Sequence, residues 1–197
     1  QTKTDKDQFS VSKKDIVYTI SPLYNYALYG LVVSCHNTRA WGDVYHRQWK
    51  DFINVKDICV IWGENIKTDV YKQIKFSNGS FTCYLRSDDH NVWKRFDQNC
   101  LSNNHILSTD GKISKRLAGV RKGDQIYLKG YLASYSHSNE SFKRGSSITR
   151  TDRGNGDRGN GACETVYVTD FSILKRANSL WWFLSWLTKY VIISCLI

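Results

Sequence analysis

The sequence contains no methionine and only one proline among its 197 residues. Proline removes a hydrogen bond from a β-ladder, so its scarcity leaves long strands uninterrupted, and the abundance of Tyr, Trp and Val also favours strands. Because no residue is methionine, we expect that a signal peptide, a membrane anchor or only a cloning boundary precedes Gln1. Residues 1–20 are predicted to be the polar remainder of a linker.

Motifs of well-known enzyme and metal sites are also missing. There is no Cys-x-x-Cys, no Gly-x-Ser-x-Gly, no Walker loop and no His-Glu-x-x-His. These absences argue against structural zinc, thioredoxin-like redox chemistry and P-loop nucleotide hydrolysis. We therefore predict neither a cofactor nor a metal, and a protein that binds without catalysing.

What is present is the composition of a folded, basic domain. Hydrophobic residues make up 41% of the chain and aromatic residues 14%, which excludes a largely disordered protein. The formal net charge of +10 favours acidic partners such as nucleic acid or anionic lipid. The basic residues are scattered, and no block is dense enough to bind nucleic acid by itself.

Six cysteines are present, five of them ahead of the C-terminal tail. In an exported domain these five permit up to two disulfides with one thiol left over, whereas in a reducing compartment they are small buried hydrophobes. Both alternatives stay open. The disulfide candidates are Cys35, Cys59, Cys83, Cys100 and Cys163.

Residues 177–197 are predicted to form a transmembrane helix. The nearly apolar segment 179–197 measures about 28 Å as a helix, close to the thickness of the hydrocarbon core of a bilayer. Lys175 and Arg176 precede it, and its tryptophans are typical of an aromatic belt. A narrow polar stripe on such a helix is better buried against another membrane helix than exposed to lipid. The predicted partner contacts are Trp182, Ser185, Thr188 and Lys189.

The apolar pattern of residues 21–176 predicts a β domain. Strands are predicted over 26–35, 58–62, 124–137 and 164–174, with a bulge near Asp170, a hairpin over 72–86 and a helix over 110–120 capped by Asp110. Three strands, a helix and two strands follow one another in this order. The fold class predicted is mainly β, an OB-like five-stranded barrel with one short helix.

Several phrases of this domain together resemble one family. They are "ALYGLVVSCHNT", "VKDICVIWGENIKT", "FSNGSFTCY", "LSNNHIL", "GDQIYLKGYLASYS" and "GNGACETVYV". As a set they resemble an uncharacterised family of membrane-anchored bacterial proteins, and the likeness covers most of residues 26–174. The resemblance implies a place in the cell envelope and implies no activity or catalytic residue.

One segment departs from that family pattern. The pentapeptide Asp-Arg-Gly-Asn-Gly occurs twice in succession over 152–161. It does not lie between a strand and a helix as a phosphate loop does, and its period of five differs from that of calcium-binding repeats. We interpret it as a duplication in an exposed connection between strands, where added length costs little.

Two aromatic groups in the domain are candidate binding surfaces. Tyr127, Lys129 and Tyr131 interleave rings with a cation on one strand face, as OB domains do when they stack single-stranded bases. Trp41 and Trp49 lie at helix-like spacing, where they either pack over the barrel or dock a partner. An alternative function is therefore single-stranded nucleic-acid binding.

Two histidines support a second alternative, hydrolysis of an unknown substrate. His105 follows two asparagines in "LSNNHIL", and His90 follows Asp88 and Asp89 in "RSDDHNVW". Either imidazole is a candidate general base. Stretches rich in Asn and Asp are more often loops that hydrogen-bond to their own backbone.

The main prediction combines the tail with the domain. We expect a non-catalytic binding domain, an accessory or assembly subunit of a membrane complex, anchored in the bacterial inner membrane with the domain in the periplasm. The expected partners are the lipid bilayer and another membrane protein. Lys175 and Arg176 before the span favour the opposite orientation by the positive-inside rule, so the orientation stays open.

Overall fold

The computed structural model describes residues 1–38, 40, 42–138, 141–146 and 163–195. In this part of the chain the strands are β1 (Thr2–Lys3), β2 (Phe9–Lys13), β3 (Ile16–His36), β4 (Asn54–Ile61), β5 (Lys75–Asn78), β6 (Cys83–Arg86), β7 (Leu101–Leu107), β8 (Gln125–His137), β9 (Phe142–Arg144) and β10 (Cys163–Lys175). The helices are α1 (Val44–Gln48), α2 (Glu64–Lys67), α3 (His90–Arg95), α4 (Gly111–Ala118) and α5 (Ser179–Cys195), with short 3₁₀ turns at Val70–Gln73 and Gln98–Cys100.

Five strands pair one after another, and the last of them also pairs with the first, so that they form a ring. This arrangement confirms the prediction of a mainly β fold. Strand β3 pairs with β4, β4 with β7, β7 with β10 and β10 with β8, and a pairing between β8 and β3 closes the ring. All of these pairs are antiparallel except β7 with β10. The parallel pair requires a crossover connection, which the chain makes through α4 and β8.

Alternate positions of the ring strands fill one core. The core side chains of the ring strands include Val32, Ile58, Val60, Ile106, Ile126, Leu128, Leu132, Val166 and Val168. Helix α4 packs Ile113 and Leu117 against them. Its predicted cap is confirmed, because the Asp110 carboxylate accepts a hydrogen bond from the backbone N–H of Ile113 at 2.8 Å. The predicted bulge in β10 is also present, as a register shift between Val168 and Asp170.

The third strand of the ring differs from the predicted one. The hairpin predicted over 72–86 exists as β5 and β6, but it forms a separate two-stranded sheet. The third ring strand is β7, whose sequence "LSNNHIL" predicts a loop by its asparagines. These side chains are buried and find partners inside the fold: Asn104 Oδ1, for example, accepts from the Tyr26 hydroxyl at 3.2 Å. Mutually satisfied polar residues hide a buried strand from a hydrophobicity pattern.

The N-terminal residues 1–20, predicted to be a polar linker, belong to the main sheet instead. Strand β2 pairs with the first part of β3 through a two-residue turn, in which Lys14 and Asp15 have φ angles of 49° and 61°. Tyr18 and Ile20 are fully buried in a second core with Tyr135. The long β3 therefore contributes side chains to three apolar clusters.

The C-terminal helix α5 leaves large apolar side chains exposed, among them Leu180, Trp181 and Phe183. No helix in the described residues is both long and apolar enough to cross a membrane. Of the predicted partner contacts, Ser185 and Thr188 are exposed. The others, the side chains of Trp182 and Lys189, lie outside what the structure describes, as does the doubled pentapeptide at 152–161.

Candidate functional site

Three adjacent ring strands bring polar side chains together on the face opposite the core. Asp57 in β4 pairs directly with His105 in β7, and Cys163 in β10 pairs with Asn103 in β7. Side chains alternate along a strand, so Asn103, His105 and Cys163 project from the same face. A carboxylate, an imidazole, an amide and a thiol that are distant in sequence become neighbours.

Asp57 and His105 form a buried ion pair. The Oδ1 atom of Asp57 lies 2.7 Å from Nδ1 of His105, and both side chains are removed from solvent. Burial acts to lower the pKa of His105, but the Asp57 carboxylate, with a smaller contribution from Cys163, raises it to about 10. The imidazole is therefore protonated at neutral pH.

Cys163 is a half-buried free thiol at the first residue of β10. Its Sγ donates to the carbonyl oxygen of Phe81 at 3.4 Å and accepts from Nδ2 of Asn103, also at 3.4 Å. The same Nδ2 donates to the Phe81 carbonyl at 3.0 Å, and Oδ1 of Asn103 accepts from Asn78 at 3.1 Å. The asparagine amide is thus fixed beside the sulfur.

The loop between β5 and β6 covers this face. A disulfide between Cys59 and Cys83, with Cα atoms 6.0 Å apart, ties the hairpin to β4. The ring centroid of Phe81 in this loop lies 5.0 Å from that of His46 and 6.3 Å from that of His105. The disulfide therefore keeps the phenylalanine over the site. Among the predicted disulfide candidates these two are bonded to each other, Cys35 and Cys163 have free thiols, and Sγ of Cys100 donates to Oδ2 of Asp97 at 3.2 Å.

A stack of two aromatic rings and a guanidinium continues from Phe81. The indole of Trp49 lies 5.4 Å from the phenyl ring, in a stacked arrangement. The guanidinium carbon of Arg144 is 4.3 Å from the centroid of Phe81 and 5.5 Å from that of Trp49. One of its nitrogens, Nη1, is buried without a hydrogen-bond partner among the described residues.

A polar network beneath the stack fixes the segment that carries Trp49. His46 Nδ1 lies 2.8 Å from Oδ2 of Asp43, and Asn54 Nδ2 lies 3.0 Å from His46 Nε2. The hydroxyl of Tyr135 donates to Oδ2 of Asp51 at 2.7 Å. Burial raises the pKa of Asp51, partly offset by that hydrogen bond. In the part of the chain that is described, no group of three or more His, Cys, Asp or Glu could hold a metal ion.

The structure distributes the predicted site residues over different places. Trp49 lies at the site just described, whereas Tyr127, Lys129 and Tyr131 lie together along β8, where Tyr127 packs 4.5 Å from the ring of Tyr29. Nucleic-acid binding there stays a prediction. The other predicted tryptophan, Trp41, falls outside the described residues.

The two histidines proposed as general bases have different surroundings. His105 is at the centre of the site. His90 is exposed at the first residue of α3, which the Asp89 side chain caps by accepting from the backbone N–H of Asn91 at 2.8 Å. Asp88 is exposed as well. The carboxylates beside His90 therefore belong to a helix start and a surface loop.

Sequence patterns did not identify Asp57, Cys163 or Arg144 as site residues. Their proximity depends on the parallel pairing of β7 with β10, which no local pattern encodes. One signal was present: Asp57 directly precedes the apolar run "ICVIW", and a carboxylate in a buried strand needs a partner.

Comparison with known proteins finds no matching family model, no matching curated protein and no matching solved structure. The resemblance to membrane-anchored bacterial proteins accordingly stays a prediction.

Proposed function

We propose that this protein is a cysteine-dependent hydrolase that works by acyl transfer, with Cys163 as nucleophile, His105 as general acid and base, and Asp57 as the residue that orients the imidazole. The observation that carries the proposal is the 2.7 Å contact between Asp57 and His105 next to the free thiol. Cysteine nucleophiles are commonly activated by a histidine that a third residue holds in place.

The chemistry follows from the protonation of His105. The thiolate is the reactive form of cysteine, and a neighbouring histidine is the group that commonly activates it. The sulfur attacks the carbonyl carbon of an ester or amide, and His105 gives its proton to the departing group as the thioester forms. His105 then takes a proton from water, the hydroxide attacks the thioester, and the thiol is restored as the acid leaves. The Asn103 amide nitrogen, which donates to both Sγ of Cys163 and the carbonyl oxygen of Phe81, holds the sulfur in place.

The position of the site in the fold supports the same proposal. The order of pairing in the ring, together with α4 between the third and fourth ring strands, is that of an OB-like barrel, which is the finer fold class we propose. OB domains bind ligands on their second and third strands and on the loops after the first and fourth. In this chain those parts are β4, β7, the segment 37–53 and the segment after β8, which carry Asp57, His105, Trp49 and Arg144, while Phe81 comes from the β5–β6 hairpin.

Reaction with p-nitrophenyl acetate tests the proposal without knowledge of the natural substrate. We expect a burst of p-nitrophenol and an acetyl group on the tryptic peptide 159–175, which contains Cys163. Cys163→Ser and His105→Gln should slow acylation by about 100-fold or more. Cys35→Ser and His90→Gln are the matched controls and should keep the burst. An unchanged burst in Cys163→Ser would contradict the proposal.

We also propose that α5 attaches the domain to a membrane, either as the predicted transmembrane helix or along the surface. The helix exposes Leu180, Trp181 and Phe183 and follows the basic residues Lys175 and Arg176, features that favour a bilayer with anionic lipids. The disulfide favours an oxidising compartment, in line with the proposed periplasmic location at the bacterial inner membrane. An accessory subunit, with another membrane protein covering α5, is the alternative.

Sedimentation with phosphatidylglycerol vesicles tests this attachment. The full chain should pellet with the vesicles, and a chain ending at Asn178 should remain in solution. The shorter chain keeps Arg176 and Ala177, which hydrogen-bond to the buried Asp124 at 3.0 Å each. If the full chain stays in solution and instead co-purifies with a stoichiometric membrane protein, the accessory-subunit alternative replaces the proposal.

A further inference from the structure

We propose that Arg144 binds a negatively charged oxygen of the ligand beside Cys163. This inference rests on the proposed function and adds a recognition residue to it. The charged oxygen has two sources, a carboxylate of the substrate or the oxyanion that forms when the thiol attacks.

The guanidinium is held rigidly and is left incompletely bonded. It lies against the rings of Phe81 and Trp49, at 4.3 Å and 5.5 Å from their centroids. Its Nη1 is buried and has no hydrogen-bond partner in the part of the chain that the structure describes. An uncompensated buried donor on a cation is costly, so an anionic ligand that accepts from Nη1 gains more than it would at a surface arginine.

The nearby carboxyl is poorly suited to neutralise Arg144. Asp51 interacts with Arg144 electrostatically, but burial favours the neutral acid, and its Oδ2 already accepts from Tyr135. Oδ1 of Asp51 is buried as well and has no hydrogen-bond partner among the described residues. The positive charge of Arg144 is therefore free to act on a ligand.

Two sets of contacts link Arg144 to the segment that carries the thiol. The guanidinium of Arg144 lies over the ring of Phe81, and the backbone carbonyl oxygen of Phe81 is 3.4 Å from Sγ of Cys163. The residues that follow Arg144 contact β10 two residues beyond Cys163: Thr165 Oγ1 donates to the Gly145 carbonyl at 2.8 Å, and the Thr165 N–H donates to Oγ of Ser146 at 2.9 Å. The end of β9 is thereby fixed against the start of β10.

Alkylation by a matched pair of reagents tests the inference. Iodoacetate is anionic and iodoacetamide is its neutral counterpart, and mass spectrometry of peptide 159–175 gives the rate of each at Cys163. We expect Arg144→Gln to lower the ratio of the iodoacetate rate to the iodoacetamide rate by about tenfold, since one nearby positive charge is removed. Arg144→Lys should retain most of the preference. Lys143→Gln is the control, because Lys143 is exposed on the same strand, and it should leave the ratio unchanged.

The outcomes separate this inference from the proposed function. If Cys163 reacts in a His105-dependent way but the ratio is the same in Arg144→Gln as in the wild type, the role of Arg144 is wrong and the hydrolase proposal stands. If Cys163 reacts with neither reagent, both are wrong. The p-nitrophenyl acetate burst distinguishes the two sources of charge: Arg144→Gln slows it if the residue stabilises the oxyanion, and leaves it unchanged if the residue binds a substrate carboxylate.

Discussion

His105 illustrates how a single residue acquires its role from its neighbours. His105 follows two asparagines, and this context predicts a loop. The residue is nevertheless a candidate general base because it is a histidine. In the fold it lies on a buried strand, and Asp57 determines its charge. The pairing of Asp57 and Cys163 with β7 could not be predicted beforehand, because it involves sequence separations of about 50 residues or more.

The ion pair makes stability depend on pH in a defined direction. The pKa of His105 is about 10 in the folded protein against an ordinary value of 6.5, so its contribution is fully present below about pH 6.5 and is lost as the pH rises towards 10. We expect His105→Gln to lower the free energy of unfolding by about 3 kcal/mol at acidic pH and by clearly less near pH 10. Urea unfolding at both pH values measures the difference. An equal loss at the two values would contradict a charged imidazole.

At the scale of single elements, local signals predicted well wherever the local sequence decides the structure. The Asp110 cap, the hairpin at 72–86 and the bulge near Asp170 are all present because turn and cap chemistry is local. The polar strand β7 and the N-terminal strands were missed. Their burial depends on partners far along the chain, which override a polar composition.

Gly130 in β8 lies where the backbone of β10 leaves no room for a larger side chain. A Cβ atom at this position would lie 2.0 Å from the carbonyl oxygen of Tyr167 in β10. We expect Gly130→Ala to force β8 away from β10 and to lower the free energy of unfolding by about 3 kcal/mol. Gly111→Ala is the control, because a Cβ atom added there would meet no other atom within 4 Å and alanine favours the helix. Equal urea midpoints for the two variants would argue against tight strand approach at Gly130.

At the scale of the whole molecule, the ring strands carry the three residues of the proposed reaction, and the connections carry the residues around them. Asp57, His105 and Cys163 lie on β4, β7 and β10, whereas Trp49, Phe81 and Arg144 come from segments between the ring strands. The disulfide joins one of these segments to β4. Sequence patterns predicted the ring in outline, but the site exists only where three separate segments meet it, and so depends on the complete fold.

The rate of Cys163 alkylation by iodoacetamide at neutral pH, compared between the wild-type protein and His105→Gln, tests the central claim, that His105 activates this thiol, most directly. We expect the wild-type protein to react clearly faster, because the substitution removes the imidazole that acts on the sulfur. Equal rates in the two proteins would contradict the claim.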